Sequence, residues 1–250
     1  MFEFPVRLHV GGIALHAHLL FEIAAYAVAF QVYRVRKRRF GDALAPETRW
    51  LLVAAAAVGA AIGSKLLSWL VDPRALLEHA GDARWLLQQK TIVGGILGGW
   101  LAVELTKRRA RVELRTGDLF AVPLCIGIAI GRVGCFAAGL DDRTFGIASA
   151  LPWAIDFGDG VARHPVQLYE SAFALVLAFV LHRVEARPHA EGSVFRAFLA
   201  AYLAFRLFVD FLKPTPTFGG LGTLQWTALL VLTWLVLARR RRGGVETPRA

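Results

Sequence analysis

Three basic side chains stand inside long apolar stretches of this sequence: Lys65, Arg132 and Arg206. Charges inside a membrane span are costly, so they usually face the interior of a helix bundle and mark a functional path. A guanidinium stays charged in a poorly hydrated site and binds phosphate oxygens through two parallel hydrogen bonds. The three residues therefore indicate a buried site that binds an anionic headgroup.

Further polar residues lie inside other apolar segments. They are His16, His18 and Glu22 in the first segment, Thr91, Gly94 and Gly95 in the third, and His164, Gln167 and Glu170 in the fifth. Helical spacing places His18 and Glu22 at i and i+4 on one face. Arg206 and Asp210 have the same spacing. Each pair could instead be a salt bridge that only holds helices together, and the sequence leaves that reading open.

The composition indicates which elements position these side chains. The chain has 250 residues, of which 56% are hydrophobic, and its mean hydropathy is +0.50. Both values exceed those of ordinary soluble domains. The apolar residues form blocks of the length that crosses a bilayer. We therefore predict an all-α, polytopic membrane helix bundle that forms a single domain over residues 1–250. About seven transmembrane helices are expected, with spans near 13–33, 50–71, 91–106, 118–138, 165–184, 194–212 and 224–238.

The intramembrane cations share one depth. Lys65, Arg132 and Arg206 each lie about six residues from one end of a span, which is roughly 9 Å below that surface at 1.5 Å per residue. The opposite halves of the spans hold few polar groups, among them Gln31 and Glu104. Such a one-sided pocket favours a substrate that enters from one face over a path through the full membrane.

The positive charge predicts the orientation. Net charge is +10, and the segments at 34–49, 107–115, 183–187 and 239–249 hold more than twice as many Lys and Arg residues as the alternate connections. Lys and Arg resist translocation, so these segments are expected in the cytoplasm, with the N-terminus outside. The alternative interpretation of the basic runs is that they bind nucleic acid or anionic lipid. We predict no nucleic-acid partner. The first span lacks the pattern of a signal peptide and is expected to be retained.

Cysteine and glycine give mainly structural signals. Cys125 and Cys135 lie in one apolar segment, so neither a disulfide framework nor a metal site is predicted, and no cofactor is expected. The glycines at 94–99 and 127–131 form small-xxx-small patterns that let helix backbones approach closely.

Two strings are distinctive: GRVGCFAAG at 131–139 and RHPVQLYE at 163–170. With RLFVD at 206–210 and LQ at 224–225, they resemble the prolipoprotein diacylglyceryl transferase family, and the order and seven-span plan are similar from about residue 13 to 238. Members transfer diacylglyceryl from phosphatidylglycerol to the lipobox cysteine thiol of lipoprotein precursors, at the outer side of the bacterial inner membrane. The resemblance therefore implies phosphatidylglycerol, prolipoprotein signal peptides and membrane lipid as partners.

The resemblance also implies roles for residues. Arg132 and Arg206 match the two family arginines expected to hold the lipid phosphate and stabilise the leaving group. The candidate catalytic residues are Arg132, Arg206, His164 and Glu170. The candidate substrate-binding residues are Lys65, Lys90, Gly94, Gly95, Gly134, Gln167, Tyr169, Gln225, His18 and Glu22.

This chain departs from the family pattern at three places. Cys135 stands where the family usually has asparagine, and Val93 precedes Gly94 where the family commonly has histidine. The stretch 140–146 is longer than the usual form. The missing histidine is a candidate base for the thiol, so that role is open. It could pass to His16, His18, Glu22 or His164, while Lys65 or Lys90 could lower the pKa of the thiol.

Two other functions compete with the leading hypothesis. A paralogue would use the same lipid donor with another acceptor. A transporter or carrier would bind an anionic lipid at the buried cations and release it unchanged. The sequence leaves the acceptor, the acyl preference and the oligomeric state open.

Overall fold

The computed structural model describes residues 4–10 and 13–243. Nine α-helices lie in these residues: α1 (Ala17–Phe40), α2 (Pro46–Val71), α3 (Pro73–Glu78), α4 (Ala83–Gln88), α5 (Ile92–Arg109), α6 (Asp118–Ala138), α7 (Val166–Glu185), α8 (Ser193–Val209) and α9 (Thr223–Gly243). Three short antiparallel pairs accompany them: β1 (Arg7–Val10) with β2 (Ile13–His16), β3 (Ile155–Asp156) with β4 (Ala162–Arg163), and β5 (Thr217–Phe218) with β6 (Leu221–Gly222). Short 3₁₀ turns follow α6 at Gly139–Asp142 and α8 at Asp210–Leu212.

The seven predicted spans correspond to α1, α2 and α5 to α9, so the all-α membrane bundle is confirmed as the fold class. By length and composition, three helices of the described residues suffice to cross a membrane: Pro46–Val71, the helical segment Asp118–Asp142, and Val166–Glu185. A shorter apolar helix covers Thr223–Ala238. Predicted and observed ends differ most in α1, which begins after the β2 strand and runs to Phe40. Its last turn carries Lys37, Arg38 and Arg39, and cations stabilise a helix C-terminus.

The described helices fall into two compact units, and each is described by itself below. The first unit comprises α1, α6, α7 and α8, and the second comprises α2 to α5 and α9. The prediction that the chain forms one domain stays a prediction.

In the first unit, α6 packs between α1 and α7, and α8 packs on α7 and α6. The Asp118 side chain at the start of α6 accepts backbone N–H bonds from Gly192 (2.6 Å) and Phe195 (2.8 Å). A carboxylate at a helix N-terminus satisfies groups that lack intrahelical partners, so it fixes the start of α8 to α6. A buried Arg36–Glu185 ion pair joins the ends of α1 and α7. These contacts set the register of the helices that carry the site.

In the second unit, α2 packs closely against α5 through glycine. A Cβ atom on Gly94 would lie 2.3 Å from the carbonyl oxygen of Gly63, and one on Gly98 would lie 2.3 Å from that of Gly59. Both distances are far inside van der Waals contact, so side chains are excluded there. The predicted packing role of this glycine run is confirmed.

Candidate active site

Two buried arginines from different helices meet at one carboxylate. Arg132 of α6 places Nε 2.9 Å from Oε2 of Glu170 on α7, and Arg206 of α8 places Nη1 3.5 Å from Oε1. The exposed fractions are 5% for Arg132, 2% for Arg206 and 1% for Glu170. Nε of Arg132 is the atom that faces Oε2 of Glu170, at the distance of an ion pair. The two guanidinium groups are therefore held close together by one carboxylate inside the bundle.

Two further side chains of α8 and its 3₁₀ extension orient this trio. The Tyr202 hydroxyl donates a 2.5 Å hydrogen bond to Oε1 of Glu170. Asp210 accepts from Nη2 of Arg206 at 2.6 Å and from Nε at 3.3 Å. Tyr202, Arg206 and Asp210 follow one another at intervals of four residues, so one face of the helix carries all three.

Lys213 completes the group, with Nζ 3.8 Å from Oδ1 of Asp210. The pKa of its ammonium is lowered to about 7, chiefly because burial disfavours the charged form. Repulsion from the two guanidinium groups adds to this lowering, and the two carboxylates oppose it. We call Arg132, Glu170, Tyr202, Arg206, Asp210 and Lys213 the arginine cluster. Below pH 7 it holds three cations against two carboxylates, a balance that suits a bound anion.

A second group lies beside Arg132. Nη1 of Arg132 is 3.7 Å from Sγ of Cys135. The Cys135 thiol, the His18 imidazole and the Asp142 carboxylate converge, with one potential ligand atom from each lying within 4.8 Å of the others. We call these three residues the His–Cys–Asp group.

The His–Cys–Asp group is assembled by two local features. Gly134 of α6 faces the first turn of α1, where an added Cβ would lie 2.7 Å from Cβ of Phe21 and 3.5 Å from Cα of His18. This close approach brings His18 onto α6. At the other end, α6 stops at Gly139, whose φ of +61° suits glycine, and the 3₁₀ turn then carries Asp142 back to the helix end.

Gln167 lies one turn before Glu170 on α7 and is only 1% exposed. Neither its side-chain nitrogen nor its side-chain oxygen has a hydrogen-bond partner in the described structure. A buried amide without partners costs about 1 to 3 kcal/mol, which a polar ligand would recover. This geometry is consistent with the predicted substrate-binding role.

The predicted pair His164 and Tyr169 lies at the start of α7. Nδ1 of His164 is 3.3 Å from the Tyr169 hydroxyl, which also accepts a 2.7 Å hydrogen bond from Nε1 of Trp153. The main chain of His164 bonds to Ile147 and Gly146. His164 is thus held in the loop that connects α6 to α7, and its predicted catalytic role stays a prediction.

Glu22 follows His18 by one turn of α1, with Oε2 3.7 Å from Nε2 of His18. His16 lies just before α1, with Nε2 3.6 Å from Oδ2 of Asp141. The structure therefore joins both candidate histidines to carboxylates, and it brings His18, but not His16, into the His–Cys–Asp group.

The other candidates belong to the second unit. Nζ of Lys65 donates to the carbonyl oxygen of Leu87, and Lys90 lies in the connection between α4 and α5. Gly94 is closed off by Gly63, whereas a Cβ on Gly95 would meet only ordinary contacts at 3.7 Å or more.

Gln225, the remaining candidate, lies in the first turn of α9. It is buried, and its Oε1 accepts a 2.8 Å hydrogen bond from the backbone N–H of Gly222. This bond ties the β6 strand to the helix. The predicted substrate-binding roles of the candidates in the second unit stay predictions.

Sequence reasoning assigned no site role to four members of these groups: Tyr202, Lys213, Cys135 and Asp142. Helical spacing from Arg206 was a usable signal for Tyr202 and Lys213, which precede and follow it by about one and two turns. No spacing rule joins His18 to residues more than 100 positions later in the chain.

Comparison with known proteins identifies relatives over nearly the whole chain. A family model described as prolipoprotein diacylglyceryl transferase matches residues 5–239. A phosphatidylglycerol–prolipoprotein diacylglyceryl transferase of Bordetella avium is 32% identical over 254 residues, covering 95% of each chain. Its counterpart in Bordetella parapertussis is 31% identical over 241 residues, or 90% of each chain. One from Methylobacillus flagellatus is 37% identical over 147 residues, covering 54% of this chain and 55% of the relative. The chain therefore belongs to the prolipoprotein diacylglyceryl transferase family.

Proposed function

We propose that this protein transfers the diacylglyceryl group of phosphatidylglycerol to the cysteine thiol of a prolipoprotein lipobox. The observation that carries the proposal is the meeting of Arg132 and Arg206 at Glu170, inside an apolar bundle. The names of the relatives supply the two substrates.

The lipid phosphate is proposed to bind on the arginine cluster. Glu170 and Asp210 hold the two guanidinium groups in place before substrate arrives, so little reorganisation accompanies binding. Each guanidinium has five N–H donors, so donors beyond those that face the carboxylates can bind phosphate oxygens. Guanidinium groups keep their charge in such surroundings, whereas an ammonium more readily loses it.

The transfer is a displacement at the glyceryl carbon that bears the phosphate oxygen. The sulfur of the acceptor thiolate forms a bond to this carbon while the carbon–oxygen bond breaks, and the electron pair passes to the leaving glycerol phosphate. The thiol proton is released to solvent before attack, because the thiolate is the nucleophile. Arg132 and Arg206 stabilise the charge that develops on the leaving phosphate oxygen.

The proposed location rests on the resemblance to the family, and the proposed orientation rests on the distribution of charge. We propose a multi-pass protein of the bacterial inner membrane, with a periplasmic N-terminus and a cytoplasmic C-terminus, because the basic segments flank the opposite ends of the spans. The phosphate site then faces the outer side, where a signal peptide of a translocated precursor would meet it.

An assay in vitro tests the proposed function. Purified protein is incubated with phosphatidylglycerol and a lipobox peptide, and the mass of the peptide cysteine is measured. The wild type is expected to add one diacylglyceryl group. Arg132→Ala and Arg206→Ala are each expected to reduce the rate at least 100-fold, the order of magnitude for loss of one preorganised charge-stabilising donor, about 10² to 10³.

Arg74→Ala is the matched control, because Arg74 is exposed on the short α3 helix. It should retain wild-type activity. Full activity in both buried arginine variants would remove the assigned roles.

A paralogue with another thiol acceptor is the second candidate. The presence of Cys135 within the His–Cys–Asp group favours it, since the family usually has asparagine there. Complementation of a strain depleted of its own transferase separates the two. Good expression without lipoprotein modification would support the paralogue. A carrier is tested separately, by incubating the purified protein with labelled lipid. Recovery of that lipid chemically unchanged would support a carrier.

A further inference from the structure

The His–Cys–Asp group has the chemistry of a metal site, although cysteine spacing alone predicts none. Imidazole, thiolate and carboxylate are the three ligand types that zinc takes in proteins. One such atom from each of His18, Cys135 and Asp142 lies within 4.8 Å of the other two. Zinc bonds of about 2.0 to 2.3 Å set tetrahedral ligand atoms roughly 3.3 to 3.8 Å apart, so closure needs a shift of about 1 Å.

The orientation of His18 fits a ligand. Nδ1 is buried without a hydrogen-bond partner, and it lies 3.8 Å from Oδ1 of Asp142. On the opposite side of the ring, Nε2 lies 3.7 Å from Oε2 of Glu22. A metal-bound histidine almost always donates its second ring N–H to a carboxylate, which fixes the tautomer and the ring orientation. Glu22 is placed to accept that hydrogen bond.

The orientation of Asp142 also fits. The Thr144 hydroxyl donates a 2.6 Å hydrogen bond to Oδ2 of Asp142, so Oδ1 is the oxygen presented toward His18. Supporting hydrogen bonds of this kind are typical of carboxylates that bind metals.

The surroundings of Cys135 match a bound thiolate. A thiol surrounded by apolar groups stays protonated unless a cation or a metal stabilises the thiolate. Nη1 of Arg132 lies 3.7 Å from Sγ and can donate to a thiolate sulfur. Arg132 is itself paired with Glu170, so its positive charge is compensated near the group. A divalent cation would balance the two negative ligands, Cys135 thiolate and Asp142.

We propose that His18 Nδ1, Cys135 Sγ and Asp142 bind one divalent ion of the zinc class and leave its fourth position open. Three protein ligands with an open position are the arrangement of catalytic zinc sites, whereas four close a structural one. The open position binds the acceptor sulfur as a thiolate, and this assignment rests on the proposed function.

The proposed metal site takes the role of the missing histidine, which is to generate the acceptor thiolate. Coordination of the acceptor cysteine releases its S–H proton to solvent, so no histidine base is needed where Val93 stands. The metal-bound sulfur then forms the bond to the glyceryl carbon, and the carbon–oxygen bond to phosphate breaks. The thioether product carries no charge and binds the ion more weakly, so it leaves.

Metal binding is tested without any substrate. Purified protein stripped with a chelator is titrated with Co²⁺, and the thiolate-to-cobalt charge-transfer absorption is followed. The wild type is expected to show this band at one Co²⁺ per chain, with displacement by Zn²⁺. Cys135→Ala should abolish it, whereas Cys125→Ala, which removes the same atom from the same helix, should leave it intact. No band in the wild type, or an unchanged band in Cys135→Ala, would overturn the site.

A second measurement avoids variants that fold poorly. In the wild type, Zn²⁺ is expected to protect Cys135 from alkylation at least tenfold, read by peptide mass, with denatured protein as the reference for reactivity. Equal labelling with and without Zn²⁺ would contradict the proposal.

The transferase assay then separates the two proposals. Transfer that falls on chelation and returns with Zn²⁺ supports the thiolate role, and transfer unaffected by chelation refutes that role while the proposed function stands. If the protein binds one Co²⁺ per chain but transfers no lipid, the proposed metal site stands and the proposed function is refuted.

Discussion

Replacement of Glu170 by glutamine removes the carboxylate that both buried guanidinium groups approach. The contacts are 2.9 Å to Arg132 and 3.5 Å to Arg206. At an effective dielectric constant of about 20, these distances correspond to gross attractions of roughly 6 and 5 kcal/mol. Much of that attraction is offset by the desolvation of buried charges. Removing one partner of a buried pair typically destabilises by about 3 to 5 kcal/mol, and we expect Glu170→Gln to do so.

Unfolding of the detergent-purified protein measures this loss. The matched control is Glu191→Gln, because Glu191 is exposed in the connection between α7 and α8. Substitutions at such surface positions usually change the free energy of unfolding by less than about 0.5 kcal/mol. Equal stability of the two variants would refute the electrostatic account of the arginine cluster.

The same variant tests the proposed ligand. A bound lipid phosphate would replace the lost negative charge of Glu170, so phosphatidylglycerol should raise the unfolding midpoint of Glu170→Gln more than that of the wild type. Diacylglycerol with the same acyl chains should not. A similar rise with both lipids would show that chains, and not charge, account for the stabilisation.

Three further outcomes are expected. The KM for phosphatidylglycerol should rise from about pH 6 to about pH 8, because Lys213, with a pKa of about 7, is cationic below that pH and neutral above it. Lys213→Arg, which stays charged, should flatten this profile. An unchanged pH dependence in Lys213→Arg would show that Lys213 does not cause it. Tyr202→Phe leaves Oε1 of Glu170 without its 2.5 Å donor and should destabilise by about 1 to 3 kcal/mol in chemical unfolding; a neutral effect would argue against that hydrogen bond. Gly94→Ala should destabilise by about 1 to 3 kcal/mol, since its Cβ would overlap a backbone oxygen, whereas Gly95→Ala should be tolerated. Equal effects of the two substitutions would contradict the close packing of α2 and α5.

The sequence predicted the helices well because the thickness of a bilayer fixes their length. Apolar blocks between basic runs gave the span at 118–138 without error, and the others within a few residues apart from α1. The end of α1 was predicted at residue 33, yet the helix runs to Phe40. Hydropathy detects where apolar residues stop, and a helix with a cationic last turn continues beyond that point. The pairing of β1 with β2 was not predicted, since two four-residue strands give little periodic signal.

The arginine cluster was predictable in part. Charges inside apolar spans singled out Arg132, Arg206 and Glu170, and the structure brings these three together. Lys213 follows the apolar span and was not singled out, because only the tertiary structure shows that its side chain is 9% exposed and close to Asp210.

The His–Cys–Asp group could not be predicted. Cys135 was treated as a small packing residue, which is the usual role of a cysteine in an apolar helix. His18 lies more than 100 residues earlier, and the contact between α1 and α6 at Gly134 brings them together. The turn that carries Asp142 follows a helix end set by Gly139 at positive φ, which sequence spacing does not define.

The affinity for phosphatidylglycerol relative to diacylglycerol of the same acyl chains tests the central claim most directly. The two lipids differ in the phosphate headgroup that Arg132 and Arg206 are proposed to hold. The wild type and the Arg74→Ala control are expected to prefer phosphatidylglycerol by at least about tenfold, or roughly 1.4 kcal/mol. The double variant Arg132→Ala/Arg206→Ala is expected to bind both lipids equally. The same preference in the double variant as in the wild type would contradict the account.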